Sequence, residues 1–429
     1  MIKNLNIKKN ATTAVVAFLI NIFLTFISYK LLIQYGGLEV LGVWSILTAA
    51  IFILRIGDIG MGGAAERYVA TISVENNSTE IREYLDTALI TNTVIFSLLA
   101  FLGYFIFCNN IQWVVPNNKN LESQALQVLP LIFTTFLFSN IANMYSGGLR
   151  GLHLGYLNSY LLIISNVIQM IVVIVLVPKI GLNGLALAQL LQYLFLIIVA
   201  SICMHRYIQK YKSMKWLPVY FKRSKFKVLI SFSLKAQAVS LLNGLFEPLS
   251  KFLVGQTAGL SILGLYELAY KVVSLPRNAV VSGVLGVMPA MTNLLSTNID
   301  EAKKIYFKSK NLVIMATGFV FIGVVICSPF ISWILFERIE LMLIHFIFIL
   351  SIGFLGNVYG ACAYTLGFSS GKFFGNFIYT LIALFFLIFF SILINLFNNY
   401  YSVVFSVTIG FIFSGYFIVK YNEKYLVDY

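Results

Sequence analysis

At 429 residues, with 59% hydrophobic residues, 11% charged residues and a mean hydropathy of +0.89, the chain lies far from the soluble range, where about a quarter of residues are charged. It reads as an integral membrane protein, and its formal net charge of +14 is a matter of loop topology rather than of nucleic-acid binding. Cys108, Cys203, Cys327 and Cys362 show no C-x-x-C spacing and His153, His205 and His345 stand far apart, so neither a disulfide framework nor a metal centre is expected, and no cofactor.

The stretch MIKNLNIKKN followed by an apolar run from Thr12 to Ile33 superficially resembles a secretory signal. At about 22 residues the run is longer than a signal's apolar region, and it has no small-residue cleavage site, so it is read as a retained first helix. Windows of about 20 apolar residues predict twelve membrane helices. The first six are Thr12 to Ile33, Val40 to Gly63, Leu85 to Phe107, Ala125 to Leu149, Leu157 to Val177 and Leu182 to Met204. The second six are Val228 to Val254, Ser261 to Pro289, Leu312 to Leu335, Leu341 to Leu366, Gly375 to Leu396 and Ser402 to Val419. With the N-terminus inside, only Lys30, Lys119, Lys179 and Arg338 fall in external loops, and most other Lys and Arg residues are internal. That bias predicts both termini in the cytoplasm.

Residues 1–204 are therefore expected to form an N-terminal six-helix bundle, 205–227 a basic cytoplasmic linker and 228–429 a C-terminal six-helix bundle. The linker mixes Lys and Arg with Tyr, Trp and Phe, which suits a surface helix on anionic inner-leaflet lipid. An internal echo supports like halves. Gly37-Leu38-x-Val40-Leu41-Gly42-Val43-Trp44 is answered by Gly259-Leu260-x-Ile262-Leu263-Gly264-Leu265-Tyr266, and at the same offset Arg55 meets Arg277. Six helices separate the paired segments, so the repeat is parallel, with an axis along the membrane normal and a central cavity expected between the halves. A weaker echo relates Gly151-Leu-His-Leu-Gly155-Tyr-Leu-Asn158 to Gly371-Lys-Phe-Phe-Gly375-Asn376.

Eight ionisable residues fall within apolar windows: Arg55, Lys235, Lys251, Lys271 and Arg277 against Asp58, Glu247 and Glu267. Each costs about 3 kcal/mol if left in lipid, so they must pair or line water. Arg55 with Asp58 is an i,i+3 pair, and Glu247 with Lys251 and Glu267 with Lys271 are i,i+4 pairs in the favourable Glu-first order. Lys235 and Lys251 are also placed to snorkel to an interface. Arg277 has no acidic residue within a turn and follows Pro276, which bends a helix and frees a carbonyl. The excess of cations suits an anionic ligand, above all phosphate held by bidentate guanidinium bonds.

In length, in twelve helices forming two bundles, in its basic central linker and in the stretch Arg55-x-Gly57-Asp58-x-Gly60 running into Arg67-Tyr68, the chain resembles the Wzx-type O-antigen flippases. These are polysaccharide transporters of the multidrug/oligosaccharidyl-lipid/polysaccharide exporter superfamily. The resemblance implies a non-enzymatic flippase of a bacterial inner membrane that carries an undecaprenyl-pyrophosphate-linked oligosaccharide, such as an O-antigen repeat unit of lipopolysaccharide, outward by alternating access. Polysaccharide polymerases are the further partners it suggests. Arg55 and Arg277, with Lys235, Lys251 and Lys271, are the candidate substrate-binding cations. Asp58, Glu247 and Glu267 are candidate carboxylates for proton or sodium coupling, the alternative being that they only balance neighbouring cations. Gly57, Gly60, Gly63, Pro276 and Pro289 are candidate flex points.

Two rivals remain at this level. An ion-coupled multidrug exporter of the same superfamily would want an acidic or neutral cleft. A membrane-embedded polysaccharide polymerase would need catalytic side chains on a sizeable loop, whereas the external loops are short. The absence of a G-x-x-x-x-G-K-S/T motif argues against an intrinsic ATPase.

Overall fold

A computed structural model describes residues 7–55, 60–72, 74–115, 118–209, 220–285, 288–395 and 400–426. Those residues are helical nearly throughout. The first half runs α1 (Ile7–Leu54), α2 (Met61–Ala70), α3 (Val74–Asn109), α4 (Ile111–Val114), α5 (Lys119–Gly151) and α6 (Gly155–Gln209). The second runs α7 (Arg223–Ala258), α8 (Leu260–Leu285), α9 (Met288–Thr297), α10 (Ile299–Phe336), α11 (Leu341–Tyr359), α12 (Ala361–Ser369), α13 (Phe374–Asn395) and α14 (Ser402–Asn422).

Some predicted helices are divided, and two of the predicted breaks fall at non-helical residues inside the long runs α1 and α6. Helix α1 carries the first two crossings and turns between them at Gly37, whose φ of 82° and ψ of 176° a residue with a Cβ adopts only under strain. Helix α6 likewise carries two, broken at Ile180 and at Gly181 with φ 53°. Eight helical stretches are long and apolar enough to span a bilayer among the described residues, and α1 and α6 each supply two crossings. Helices α7 and α8 carry the buried charges and complete the twelve-helix, two-repeat architecture. The second predicted window does not run unbroken to Gly63: α1 stops at Leu54, and α2 starts after Gly60, which sits in the left-handed region at φ 70°. Polar Arg55 and the glycines that follow it offer little to a continuous lipid-facing helix.

Lipid-facing surfaces follow from periodicity. On α10, Leu312, Met315, Phe319, Ile322, Ile326, Phe330 and Trp333 recur at helical spacing and are all exposed, Phe319 by 74%. An exposed apolar stripe of this length belongs in lipid.

The chain forms two compact units, residues 1–36 with 50–241 and residues 37–49 with 242–429. The first unit's core gathers Met61, Ala64 and Val69 of α2, Ile81 and Leu85 of α3, Leu149 of α5 and Leu196 and Met204 of α6. In the second unit, the segment 37–49 of α1 crosses α8 at the very residues of the echo. A methyl group at Gly264 would lie 2.5 Å from the Leu38 carbonyl oxygen, and one at Gly42 would collide with the carbonyl of Leu260. Glu39 accepts from Ser261 at 3.4 Å, and Ser45 donates to Glu267 at 2.7 Å, each across a separation of 222 residues. The repeated glycines are thus the reciprocal contact of a close helix crossing, which only a residue without a side chain permits.

Candidate functional site

Helices α7 and α8 each place a Glu and a Lys one turn apart on one face, and the two faces meet in a four-charge cluster. Lys251 Nζ lies 2.6 Å from Glu247 Oε1 and 2.8 Å from Glu267 Oε2. Lys271 Nζ donates to Glu247 Oε1 at 3.1 Å and lies 4.0 Å from Glu267 Oε1. The Ser45 hydroxyl adds a bond to Glu267 Oε2 at 2.7 Å, and Tyr266 donates to Ser250 at 2.9 Å beside it. The side chains of Lys251 and Glu267 are 5% and 2% exposed, so this is a buried, internally balanced set rather than a free cationic surface. The pairs expected from i,i+4 spacing are present, and contacts between the two helices join them into one network.

Breaking one member of such a set leaves an uncompensated buried charge, which costs about 3–5 kcal/mol, whereas replacing both partners by neutral groups is often tolerated. Lys251→Leu is therefore expected to lower the melting temperature of the purified protein sharply, and Lys251→Leu combined with Glu267→Gln to recover much of the loss. A single variant that melts like wild type would contradict the pairing.

Arg277 is held differently. Its Nε and Nη2 donate to Asn357 Oδ1 at 2.9 and 2.6 Å, and its Nη1 donates to Asn278 Oδ1 at 2.9 Å. Asn357, itself buried, donates from Nδ2 to the Tyr379 hydroxyl at 2.6 Å, so α11 and α13 brace the amide that braces the arginine. Both amide oxygens are neutral, and no carboxylate pairs with Arg277 among the described residues. The side chain is half-buried and is oriented by the two amides.

Arg55, in the other unit, lies in the turn that closes α1, with its guanidinium 5.2 Å from the centre of the Phe52 ring. Such a contact is worth roughly 0.5–1 kcal/mol and neutralises nothing. Asp58, its expected i,i+3 partner, and Gly57 lie outside the described residues. Lys235 stands on α7 and Pro289 on α9, with side chains outside the described set. Gly60 precedes α2, Gly63 opens onto empty space, and Pro276 lies inside α8 one residue before Arg277.

Composition-based reading missed an ion pair and a latch in the first unit. Arg82, expected in an internal loop, is buried on α3 with Asp86, Nε to Oδ1 at 2.7 Å, the side chains being 3% and 2% exposed. Asp86 and Thr87 then hold the start of the second half. The Tyr220 N–H reaches Asp86 Oδ2 at 3.4 Å, the Lys222 N–H reaches Thr87 Oγ1 at 3.1 Å, and Thr87 donates to the Tyr220 carbonyl at 3.2 Å. Lys222 pairs with Glu83 at 3.5 Å, and Lys225 pairs with Glu80. Two of the linker's basic residues thus meet protein carboxylates. The signal was in the chain, because Glu80, Glu83 and Asp86 recur at helical spacing ahead of the third apolar window. Asp86→Ala should accelerate amide hydrogen exchange across residues 220–226; unchanged exchange there would remove the latch.

This arrangement defines a multi-pass membrane protein built from two helical repeats, with Arg277 held by amides rather than by a carboxylate among the described residues. The same fold occurs in an inward-facing multidrug resistance MATE family transporter of the MOP superfamily, with a TM-score of 0.75 and 13% identity over 97% of this chain and 98% of that one. It recurs in lipid II flippase MurJ in an inward closed conformation, with a TM-score of 0.71 and 14% identity over 97% and 89%. A MOP superfamily transporter from Pyrococcus furiosus, described as having a binding pocket of reverse polarity, matches with a TM-score of 0.66 and 12% identity over 97% and 95%. No curated protein matches by sequence. Residues 68–338 match the profile of a family described as polysaccharide biosynthesis protein, and the chain belongs to that family.

Proposed function

We propose that the protein is a flippase that moves an undecaprenyl-pyrophosphate-linked oligosaccharide from the cytoplasmic to the outer leaflet of a bacterial inner membrane, with both termini in the cytoplasm. The observation that carries this reading is Arg277, whose guanidinium is oriented by Asn357 and Asn278 and has no carboxylate partner among the described residues. A planar guanidinium so held is suited to bidentate binding of a phosphate. Arg55, its counterpart in the repeat, supplies the second cation. The polyprenyl tail stays in lipid, and alternating access carries the headgroup across.

Moving a negative headgroup outward is helped by an inside-negative potential, by about 2.3 kcal/mol per charge per 100 mV. Glu247 and Glu267 are engaged by Lys251 and Lys271, which favours charge balance over ion coupling for those two carboxylates. The rival reading, a multidrug exporter, draws on the fold shared with MATE transporters. It predicts that cationic dyes, rather than pyrophosphate lipids, are moved. Reconstituted protein supplied with fluorescent undecaprenyl-pyrophosphate-oligosaccharide and, separately, with a cationic dye distinguishes the two: lipid translocated and dye retained supports the flippase, and the reverse overturns it.

A further inference from the structure

Helix α10 has two faces. One packs inward: Ala302, Tyr306 and Val313 are buried in the second unit's core, and the Tyr306 hydroxyl and Lys310 Nζ both donate to Glu423 Oε1, at 2.8 and 2.7 Å. Lys310 also lies 4.7 Å over the Tyr359 ring. These contacts fix the rotation of the helix, and so fix what its other face presents. That face is the exposed apolar stripe from Leu312 to Trp333. At 1.5 Å per residue the stripe spans about 31 Å, the thickness of a bilayer's hydrocarbon core.

The stripe does not end where its apolar residues do. One and two helical turns before Leu312 the same face carries Lys308 and Lys304, both exposed, with Phe307, 49% exposed, beside them. The two lysines stand about 6 and 12 Å beyond Leu312, a range that brackets the headgroup layer. Neither has an ion pair among the described residues. Asp300 and Glu301 stand in the first turn of α10, where negative charge suits a helix N-terminus. Asn298 holds Glu301, accepting from its N–H at 3.1 Å and donating to its carboxylate at 3.4 Å. Like charges one turn apart repel, so Lys304 and Lys308 oppose each other unless an anion sits between them.

We infer that Lys304 and Lys308, with Phe307 and the adjoining end of the apolar stripe, form a seat for one anionic phospholipid of the leaflet at that end, which the Lys and Arg bias assigns to the cytoplasm. The ammonium groups take the phosphate as point charges, the acyl chains lie along Leu312, Met315 and Phe319, and the Phe307 ring lies at the interface where aromatic rings settle. Charge and length together choose the occupant. A soluble anion has no use for the stripe, and a zwitterionic lipid brings no net charge to the lysines. The seat lies on a helix other than the basic linker, and it needs the membrane assignment alone, not the flippase reading.

The photoreactive residue p-benzoylphenylalanine in place of Phe307 tests the seat in the full-length chain, reconstituted in vesicles of equal parts phosphatidylglycerol and phosphatidylcholine and read by mass spectrometry of the adducted peptide. Adducts of phosphatidylglycerol are expected to exceed those of phosphatidylcholine roughly five- to thirtyfold, from about a fivefold preference per lysine. The same photoreactive residue in place of Phe385, exposed on the apolar α13, should record the two lipids about equally. Lys304→Gln with Lys308→Gln should bring position 307 down to the ratio at 385, whereas Lys304→Arg with Lys308→Arg keeps the excess. Both lysines are exposed and without an ion pair among the described residues, so neither double variant should melt below wild type, and lost lipid preference is not lost folding. Equal ratios at 307 and 385, an excess at 307 that survives the glutamine variant, or adducts at 307 to a second copy of the chain in place of lipid overturn the seat. The vesicles hold no polyprenyl lipid, so the flippase reading can fail while the seat stands, and the seat can fail while Arg277 still governs export.

Discussion

Arg277→Ala is expected to reduce export of the lipid-linked oligosaccharide by roughly ten- to a hundredfold while leaving insertion and melting temperature close to wild type. Hydrogen bonds to a charged group are worth about 1.5–3 kcal/mol each, and each 1.4 kcal/mol is a factor of ten. Stability should change little because the partners left behind, Asn357 and Asn278, are neutral. Arg277→Lys keeps the charge but loses the planar fork, so it should recover only part of the activity. Asn357→Leu acts through the arginine: it removes the oxygen that receives Nε and Nη2, and should weaken substrate affinity more than it slows a saturated carrier. Normal export by Arg277→Ala would remove the residue from the account.

The second large effect is on folding. Gly42→Ala and Gly264→Ala should each cost about 1–3 kcal/mol or more, because the added methyl meets a backbone carbonyl, of Leu260 in one case and of Leu38 in the other. A side chain can swing aside, whereas a carbonyl bonded within its own helix cannot. Gly63→Ala provides the control, since a Cβ there meets nothing within 4 Å and alanine suits a helix interior better than glycine by roughly 1 kcal/mol. Fluorescence-detected size exclusion of heated membrane extracts reads all three. Gly42→Ala and Gly264→Ala melting level with Gly63→Ala would show that the crossing tolerates separation.

The echo around Gly42 and Gly264 was legible because a close crossing demands glycine at the contact, and the repeat doubles the signal. Membrane helices were legible from hydropathy alone, since lipid leaves the backbone few alternatives. Their ends were less so. The turns at Gly37 and Gly181 fall in the gaps between separate windows, as expected, whereas α1 stops at Leu54 within a window that read as unbroken.

For the site, spacing within one helix pointed to Glu247 with Lys251, but contacts between helices lie outside any periodicity argument. The partnership of Lys251 with Glu267, the Ser45 bond to Glu267 and the hold of Asn357 on Arg277 all depend on which helices the fold brings together. Asn357 escaped notice for a further reason: a search for charge inside apolar windows passes over amides, although a buried amide also needs a partner.

The most direct test of the account is translocation of fluorescent undecaprenyl-pyrophosphate-oligosaccharide in proteoliposomes, comparing wild type with the Arg55→Ala/Arg277→Ala double variant under an imposed membrane potential. The account predicts that wild type moves the lipid, faster when the receiving side is positive, and that the double variant does not. Equal transport by both proteins, or a wild type that leaves the lipid in place and expels a cationic dye, would contradict it.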